Sequence, residues 1–584
     1  MKNEKSQPLR LALPLLLVGF LLIASAYSLV IPLGEGPDEV SHFGYVDYVA
    51  THGRLPPPQG AAAGEVHQPP LYYLVAALST AWVQPHNLQV IDNPDLVLYD
   101  PQTPNVLLHT RAEGWPFQGA ALAWHLARLL SILMGAVTVW ATWQIATALF
   151  PGRAWIAFGA AAFVALLPEF VYLSAMVNND NLIIMLTSLA ILLLCRISAA
   201  PWRTRDALLL GLVLGLALLS KLNALVVWLY AGVLLMWLAR KNRAWGQAIR
   251  FGLLTFGVAI VIDLPWAVYN TIQYGDPLAW TLYLAVGTIR QTPITMADWA
   301  YIANGVYINF WGCFGGALQL HYPTALYIAL GFVGLATLIG WVRLARGGFQ
   351  EHSARLLLVW VALFWAISIV AYIRWAINDA GAGQVRQLLP GLPLLAVAIS
   401  VGLGWLGRPH HKSVIAGWSF AAAVLAVGTL FYLNSLYLPA PTLAAPLTIR
   451  GTGTPTRFGD TLLLQAYSLD RTHIAPGETL NIQLDWESQQ ATREDYWVLF
   501  KLSAADETVA QQDSVPSAGR LTTDWWQPGQ KLSGRHKLVI PVDTAPGTYT
   551  LSIGLHPFGK WDWLPVHGQD TLTLQEIVVT PPGQ

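Results

Sequence analysis

The chain has 584 residues, of which 54% are hydrophobic and only 11% are charged. This small number of charged residues cannot cover the surface of a water-soluble globular protein of this length. Much of the chain must therefore face lipid. Lys plus Arg and Asp plus Glu both number 33. The balanced charge therefore gives no indication of a nucleic-acid partner.

The apolar runs predict about eleven transmembrane helices, because a helix needs about 20 apolar residues to cross a bilayer. The first run contains Ala24-Ser25-Ala26, which is typical of a signal-peptide cleavage site. We interpret it as a retained helix because its apolar stretch continues past that point. The runs lie near residues 11–33, 122–149, 154–176, 181–197, 206–220, 223–239, 248–269, 323–342, 354–373, 388–407 and 413–436.

Basic residues precede the first run and then fall in every second loop. By the positive-inside rule those loops are cytoplasmic, so the N-terminus is predicted inside. The long loops 34–121 and 270–321 and everything after residue 437 are then predicted outside. Long loops in compact proteins are often functional. We therefore expect a multi-pass protein of the plasma or bacterial inner membrane, surrounded by membrane lipids, whose chemistry faces outward.

The composition changes after a linker at 438–446, which follows the transmembrane domain of residues 1–437. In residues 447–584, short stretches alternate apolar and polar residues between turn residues, and roughly eight strands at this spacing predict an antiparallel β-sandwich. This pattern favours a packing or recognition module. Some of its tryptophans could stack on sugar rings, although such residues more often belong to the core or pack on a sheet. The tryptophans in question are Trp525, Trp526, Trp561 and Trp563.

The first outer loop opens with two acids and a short amphipathic helix. Asp38, His42, Tyr45 and Val49 recur at i, i+4, i+7 and i+11, so they share one helix face. A carboxylate at a membrane boundary, beside Glu39 and one turn from an imidazole, is suited to taking a proton from a hydroxyl. The alternative is that Asp38 only caps the helix and that the others form a solvated face.

Further polar residues are predicted at the outer ends of other spans. Arg386 at a headgroup boundary is a natural phosphate ligand. Lys221 is a second candidate, although it could simply snorkel to the interface. Asn179 and Asp180 could support the site or only cap a helix. The other candidates for supporting the donor or acceptor site are His67, Tyr72, Asn270 and Trp311.

Seven segments follow one another over nearly all of residues 1–437: PDEVSHF, QPPLYY, VNNDN, GLALLSK, NTIQYGDP, NFWGCFGG and RQLLPGLP. Together they resemble the GT-C superfamily of integral-membrane glycosyltransferases. The resemblance is greatest to bacterial members grouped with the protein O-mannosyltransferases, the aminoarabinose transferase and the rhizobial galacturonosyltransferases. The residues after 447 resemble the β-sandwich often appended to such proteins.

The resemblance implies sugar transfer from a polyprenyl-phosphate-linked donor to an extracytoplasmic hydroxyl of a cell-envelope glycan, lipid or protein. It implies an inverting displacement with Asp38 as general base, while Glu39 and His42 orient the acceptor or tune Asp38. Arg386, Lys221 or both would stabilise the developing phosphate charge. The scheme requires no cofactor and no metal, although His42 and His67 would allow a divalent cation.

Two other functional classes stay open at this point. In a transporter or flippase, the boundary charges would line a pathway. A non-catalytic protein would bind lipid-linked sugar and present it through the sandwich. The two halves of the chain show no internal repeat and the charges concentrate in outer loops, which favours the enzyme over the transporter.

Overall fold

The computed structural model describes residues 11–60, 62–84, 89–98, 104–346, 352–437, 442–451, 453–504 and 507–581. The basic residues before the first span and residues 438–441 of the predicted linker lie outside these ranges. The chain forms two compact units. The helical unit comprises Met1–His86, Leu122–Phe314 and His321–Leu433, and the sandwich unit comprises Asn87–Ala121, Gly315–Leu320 and Asn434–Gln584.

The helices of the described residues coincide with all the apolar runs that predicted spans. In chain order they are α1 (Ala12–Val30), α2 (Glu39–His52), α3 (Leu71–Thr80), α4 (Gly119–Leu149), α5 (Ala154–Leu166), α6 (Pro168–Ser174), α7 (Asp180–Ala199), α8 (Thr204–Leu218), α9 (Leu225–Asn242), α10 (Trp245–Tyr274), α11 (Trp280–Val286), α12 (Met296–Trp311), α13 (Thr324–Arg346), α14 (His352–Asn378), α15 (Leu392–Leu406) and α16 (His411–Tyr437).

Within the described ranges, nine helices are long and apolar enough to cross a membrane, and the pair α5 and α6, bent by 61°, would be a tenth. The predicted polytopic helical fold is therefore confirmed. The run at 206–220 corresponds to α8, which has 15 residues. That is shorter than the roughly 20 residues of a typical span.

Glycines bring neighbouring helices of this unit into close contact. A Cβ atom on Gly211 of α8 would lie 2.5 Å from the carbonyl oxygen of Thr255 in α10. A Cβ atom on Gly340 of α13 would lie 1.8 Å from the carbonyl oxygen of Gly402 in α15. Helices in lipid associate largely through such close packing of small residues. A second glycine of α8, Gly215, also lies close to Ala259 and Ile262 of α10, near the end of α8 that precedes Lys221.

The C-terminal region is all-β, as predicted. Its strands are β5 (Ile449–Arg450), β6 (Thr456–Phe458), β7 (Leu462–Leu469), β8 (His473–Ile474), β9 (Thr479–Ser488), β10 (Tyr496–Ala504), β11 (Glu507–Ser514), β12 (Lys531–Val539), β13 (Gly547–Pro557) and β14 (Leu572–Val579). One sheet has the order β11-β10-β13-β14-β8, and the other has the order β12-β9-β7-β5 with β6 also paired to β7. Short strands earlier in the chain are β1 (Ile91–Asp92), β2 (Leu107–Leu108), β3 (Cys313–Phe314) and β4 (Leu320–His321).

The alternating residues that predicted strands point into one core. Leu480, Ile482, Leu484 and Trp486 of β9 are all fully buried. They pack with the inward residues of β13 and of the other long strands. Because alternate side chains of a strand point to opposite faces, this alternation places one face of each sheet against the other.

The sandwich unit also contains part of the first outer loop, so it is larger than the predicted 447–584 segment. The antiparallel hairpin of β1 and β2 packs through Ile91 and Leu108 against Val515. The Ser514 hydroxyl donates a hydrogen bond to the Asp95 carboxylate at 2.7 Å. Two further hydrogen bonds join the same parts: Asn93 Nδ2 donates to the Gly519 carbonyl at 3.2 Å, and Thr522 Oγ1 donates to the His109 carbonyl at 2.8 Å.

These contacts predict that residues 447–584 alone form an incomplete sandwich. Fusing residues 89–113 to that fragment through a flexible linker should raise its melting temperature. Two or three hydrogen bonds at about 1 kcal/mol each, together with the apolar contacts, correspond to about 5–10 °C for a domain of this size. Thermal denaturation followed by circular dichroism measures the difference, and equal melting of both fragments would show that the hairpin adds no stability.

Candidate active site

Asp38 precedes α2 with its backbone in the left-handed region, at φ 56°, and its side chain makes no capping hydrogen bond. The carboxylate instead accepts a hydrogen bond from Arg386 and forms an ion pair with it. The side chain of Asp38 is still 45% exposed, so a ligand can reach it. The positive charge of Arg386 lowers the pKa of Asp38 to about 2, so this carboxylate is ionised at neutral pH.

Arg386 lies in a short 3₁₀ turn, Val385–Gln387, just before α15. Its Nη2 atom donates to Asp38. Its Nε atom is buried and has no hydrogen-bond partner among the residues that the structure describes. A buried guanidinium N–H without a partner is costly, and an anionic oxygen that reached it would form a charge-assisted hydrogen bond.

A second ion pair joins the loop after α8 to the start of α7. Lys221 Nζ donates to Asp180 Oδ1 at 2.7 Å, and both side chains are buried. Asn179 Nδ2 lies 3.2 Å from the Ser220 carbonyl and 3.2 Å from Gln68 Oε1, so the loop that carries His67 is held as well. The structure thus brings the VNNDN segment, Lys221 of the GLALLSK segment and the loop that carries His67 together.

His42 is buried on α2, one turn after Asp38, beside a carboxyl group that the sequence did not indicate. Its Nδ1 atom lies 2.9 Å from the Tyr73 hydroxyl and 3.9 Å from Glu65 Oε2. Burial lowers the pKa of His42 well below its usual value and raises the pKa of Glu65 to about 8. Both groups are therefore uncharged at neutral pH. In that state, each can form a hydrogen bond with a neutral hydroxyl group.

Glu39 has surroundings that differ from the expected role beside Asp38. Its fully buried carboxylate accepts two hydrogen bonds from Arg128 of α4, at Nε and Nη2, both at 2.7 Å. Every other described partner of the two side chains is a backbone group. These are the carbonyls of Ser28, Ile31 and Pro32, which accept from Arg128, and the amides of Gly34, Gly36 and Val177, which donate to Glu39.

This buried pair uses all five N–H groups of Arg128 and both oxygens of Glu39, so neither side chain has a donor or acceptor left for a substrate. Instead, the pair fixes the chain before α2 to α4 and to the turn before α7. These contacts favour a structural role for Glu39 over the expected one, in which it orients the acceptor or tunes Asp38. The physical reason is Arg128, which the spacing around Asp38 could not reveal.

Three other predicted support residues are buried, and two of them form hydrogen bonds with backbone groups. Tyr72 is fully buried and accepts a hydrogen bond from the backbone amide of Asn178 at 3.0 Å, so it holds the turn before α7. Asn270 donates to the Pro277 carbonyl at 3.3 Å and closes the end of α10. Trp311 is buried at the end of α12. The structure does not bring Asn270 or Trp311 to the Asp38–Arg386 pair through any described contact.

A cavity of about 280 Å³ opens beside Lys221 and His67. Most of its lining is apolar or aromatic, including Trp266, Trp280 and Trp375. Burial lowers the pKa of His67 to about 4, so this imidazole is uncharged at neutral pH. An apolar cavity that is also lined by a few polar groups is typical of a ligand site.

His42 and His67 are the two residues of the site that would suit a divalent cation. Within the described ranges, no group of three or more His, Cys, Asp or Glu side chains is arranged to hold a metal ion. His42 is instead in contact with Tyr73.

The family model described as dolichyl-phosphate-mannose-protein mannosyltransferase matches residues 123–269. These residues include most of α4 and α10, the start of α7 with Asp180, and the loop with Lys221. This match agrees with the resemblance to membrane glycosyltransferases that the motifs indicate. A comparison with curated proteins gave no match.

Several solved structures are similar to the chain at low identity. The S. cerevisiae protein O-mannosyltransferase Pmt1-Pmt2 complex bound to the sugar donor is 17% identical over 48% of this chain and 35% of that chain, with a TM-score of 0.32. ArnT from Cupriavidus metallidurans bound to undecaprenyl phosphate is 15% identical over 72% and 71% of the two chains, with a TM-score of 0.40. The oligosaccharyltransferase AglB from Archaeoglobus fulgidus, in complex with an inhibitory peptide and a dolichol-phosphate, is 11% identical over 72% and 55%, with a TM-score of 0.40. The chain thus spans about a third of the yeast chain's length.

Proposed function

We propose that this protein is an integral-membrane glycosyltransferase that moves a sugar from a polyprenyl-phosphate-linked donor to an extracytoplasmic acceptor hydroxyl. The observation that carries the proposal is the Asp38–Arg386 pair, in which an exposed, ionised carboxylate adjoins a cation with a free buried N–H. A general base and a phosphate ligand are thereby joined in one ion pair. The family match over residues 123–269 supports a lipid-phosphate-sugar donor.

The donor would place its polyprenyl end in the apolar cavity and its phosphate toward the two cations. Lys221 lies in the cavity lining, so its ammonium group would meet the polar head of an amphiphilic ligand bound there. Arg386 can remain hydrogen-bonded to Asp38 through Nη2 while its Nε binds a phosphate oxygen. This arrangement would hold the leaving group and the base on one rigid guanidinium fork, which fixes their separation before the reaction.

The reaction would be a single inverting displacement. Asp38 takes the proton of the acceptor hydroxyl while that oxygen forms a bond to the anomeric carbon. The bond between the anomeric carbon and the phosphate oxygen breaks on the opposite face, and polyprenyl phosphate leaves with the electron pair. The phosphate gains negative charge in this step and therefore binds Arg386 more strongly. The ion pair between Arg386 and Asp38 becomes weaker as a result. The Asp38 carboxylate then becomes more basic as it receives the proton.

A transfer assay in proteoliposomes tests this function against the two other classes. The protein is supplied with radiolabelled polyprenyl-phosphate sugars and with a cell-envelope extract as acceptor. We expect the label to move from the lipid to an acceptor, with release of polyprenyl phosphate. Labelled lipid that crosses the bilayer with its sugar bond intact would instead indicate a flippase. Stable binding of the lipid without transfer would indicate a presenting protein.

The phosphate role predicts a selective defect in Arg386→Ala. Because hydrogen bonds to charged groups contribute about 1.5–3 kcal/mol each, the KM for the lipid donor should rise about 10- to 100-fold. The KM for the acceptor should change much less. Arg386→Lys should recover only part of the loss, because an ammonium lacks the planar fork that holds two ligands. Steady-state kinetics with each substrate varied in turn measures the split.

The control for this variant is Arg343→Ala, which removes an Arg whose Nη1 donates to the Leu406 carbonyl at the opposite end of α15. It should leave the donor KM unchanged. An unchanged donor KM in both Arg386→Ala and Lys221→Ala would contradict the assignment of the phosphate to these two cations.

A further inference from the structure

The two tryptophan pairs of the sandwich differ in their surroundings. Trp526 is buried in the sandwich core. Trp525 donates its indole N–H to the His109 carbonyl at 3.1 Å, and its ring lies against Gly114. These two residues therefore pack within the unit. Trp561, in contrast, is 64% exposed, although burying an indole ring would be favourable.

The exposed ring is held in a fixed position. Trp561 stacks on the imidazole of His556, with ring centroids 4.9 Å apart and planes 26° apart. Trp563 packs against both rings, at 5.8 Å from Trp561 and 5.1 Å from His556. His556 is itself buried, and its Nδ1 atom lies 2.9 Å from the Lys560 carbonyl. One face of the Trp561 indole is thus covered by an anchored ring, and binding at its exposed side would cost little side-chain entropy.

Several charged residues contact His556 or adjoin Trp561 in the chain, and their charges restrict the chemical class of a ligand. Asp513 lies 3.5 Å from His556 Nε2 and is partly exposed. Lys560 and Glu494 form a half-exposed ion pair, and Asp562 is also exposed. Three carboxylates and one ammonium give a negative surface, which disfavours anionic lipid headgroups and other phosphates. The same carboxylates are acceptors for neutral hydroxyl donors.

We propose that Trp561, Trp563 and His556 form a binding platform for a pyranose ring of an uncharged glycan. The C–H face of a pyranose is apolar and fits a flat indole, while its hydroxyl groups extend sideways toward Asp513, Asp562 and Glu494. An aromatic face rimmed by hydrogen-bonding groups suits a ligand that is apolar on one side and polar at its edge. This platform shares no residue with the Asp38 site, and it gives the sandwich a recognition function that does not depend on the proposed transfer reaction.

Saturation-transfer NMR on the full-length protein in nanodiscs of neutral lipid tests the platform without any measurement of sugar transfer. The probes are maltohexaose, cellohexaose and α-1,6-linked mannohexaose. We expect at least one to receive saturation, most strongly at the C–H protons of one ring face. Trp561→Ala should weaken its binding at least tenfold, and Trp561→Phe should retain part of it. Because Trp561 is exposed, both variants should melt at the temperature of the unmodified protein.

The matched control is Trp115→Ala, which removes another tryptophan of the sandwich unit that is 83% exposed. It should bind the probe like the unmodified protein. The proposal is overturned if no neutral probe binds, if Trp561→Ala binds as well as the control variant, or if Trp561→Ala impairs only the binding of phosphatidylglycerol vesicles. The last result would identify a membrane contact in place of a glycan platform.

Discussion

Replacing Asp38 by Asn should reduce sugar transfer by about 10²- to 10⁴-fold, the range typical for loss of a general base. The amide keeps the size of the side chain but cannot accept the proton of the acceptor hydroxyl. Donor binding should weaken little, because Arg386 remains. The measurement is single-turnover transfer from a polyprenyl-phosphate donor, with thermal melting in detergent to establish that the variant is folded.

A suitable control is Asp47→Asn, which makes the same chemical change further along α2 and should leave turnover near normal. The pH profile gives a second test. Because Arg386 holds the pKa of Asp38 at about 2, kcat/KM should show no acid limb from this group above about pH 4. In Arg386→Ala the pKa should return toward its usual value, so an acid limb should appear at higher pH. Normal turnover by Asp38→Asn would remove the main support for a glycosyltransferase.

Replacing Glu39 by Gln should damage folding more than chemistry. The change leaves the Arg128 guanidinium fully buried without its counter-charge, and breaking a buried ion pair in this way costs about 3–5 kcal/mol. We therefore expect a much lower melting temperature and a low yield of folded protein. Thermal denaturation in detergent and the yield of monodisperse protein measure the effect, and the activity of the folded fraction should stay closer to normal than that of Asp38→Asn.

The double variant Glu39→Gln with Arg128→Met separates the two possible roles of Glu39. Because it removes both charges, its loss of stability should be smaller than the sum of the two single losses. A fully stable but inactive Glu39→Gln protein would be incompatible with the structural role and would return Glu39 to the catalytic machinery.

The helical fold was predictable because burial in lipid requires long apolar runs, and each run coincides with a helix. The lengths and bends of the helices were less predictable. The apolar run at 154–176 predicts one span, yet the helix breaks between α5 and α6 at Pro168, whose missing N–H and fixed φ disfavour a continuous helix. Pro168 is visible in the sequence, but a prediction from hydropathy alone does not take it into account.

Within the site, the motifs indicated Asp38 and Arg386, and the structure pairs them across 348 residues of sequence. Spacing on α2 could not separate Asp38 from Glu39, because their environments depend on Arg128 in a distant helix. Glu65 follows no periodic pattern in its loop, so nothing local indicated that it would be buried beside His42. The order of the sequence motifs thus predicted which segments come together. The burial and partners of each side chain, which the sequence does not show, decide which of them remain accessible to a substrate.

In the sandwich, alternation predicted the strands but not their completion by a hairpin from the first outer loop. It also could not distinguish the buried Trp526 from the exposed Trp561, because both occur in similar aromatic and polar surroundings in the sequence. Only the three-dimensional structure shows which ring is covered.

The hairpin of β1 and β2 also sets a delay during synthesis. Asn93 and its partner Gly519 are separated by 426 positions, and Asp95 and Ser514 by 419. At a translation rate of about 5–20 residues per second, the hairpin must wait roughly 20–85 s before the ribosome has made the strands that cover it. Throughout that interval, its apolar residues and its buried amide and carboxyl groups are open to chaperones and proteases. A ribosome that stalls before β11 would therefore leave a chain whose first exposed defect lies near its beginning, more than 400 residues from the missing part.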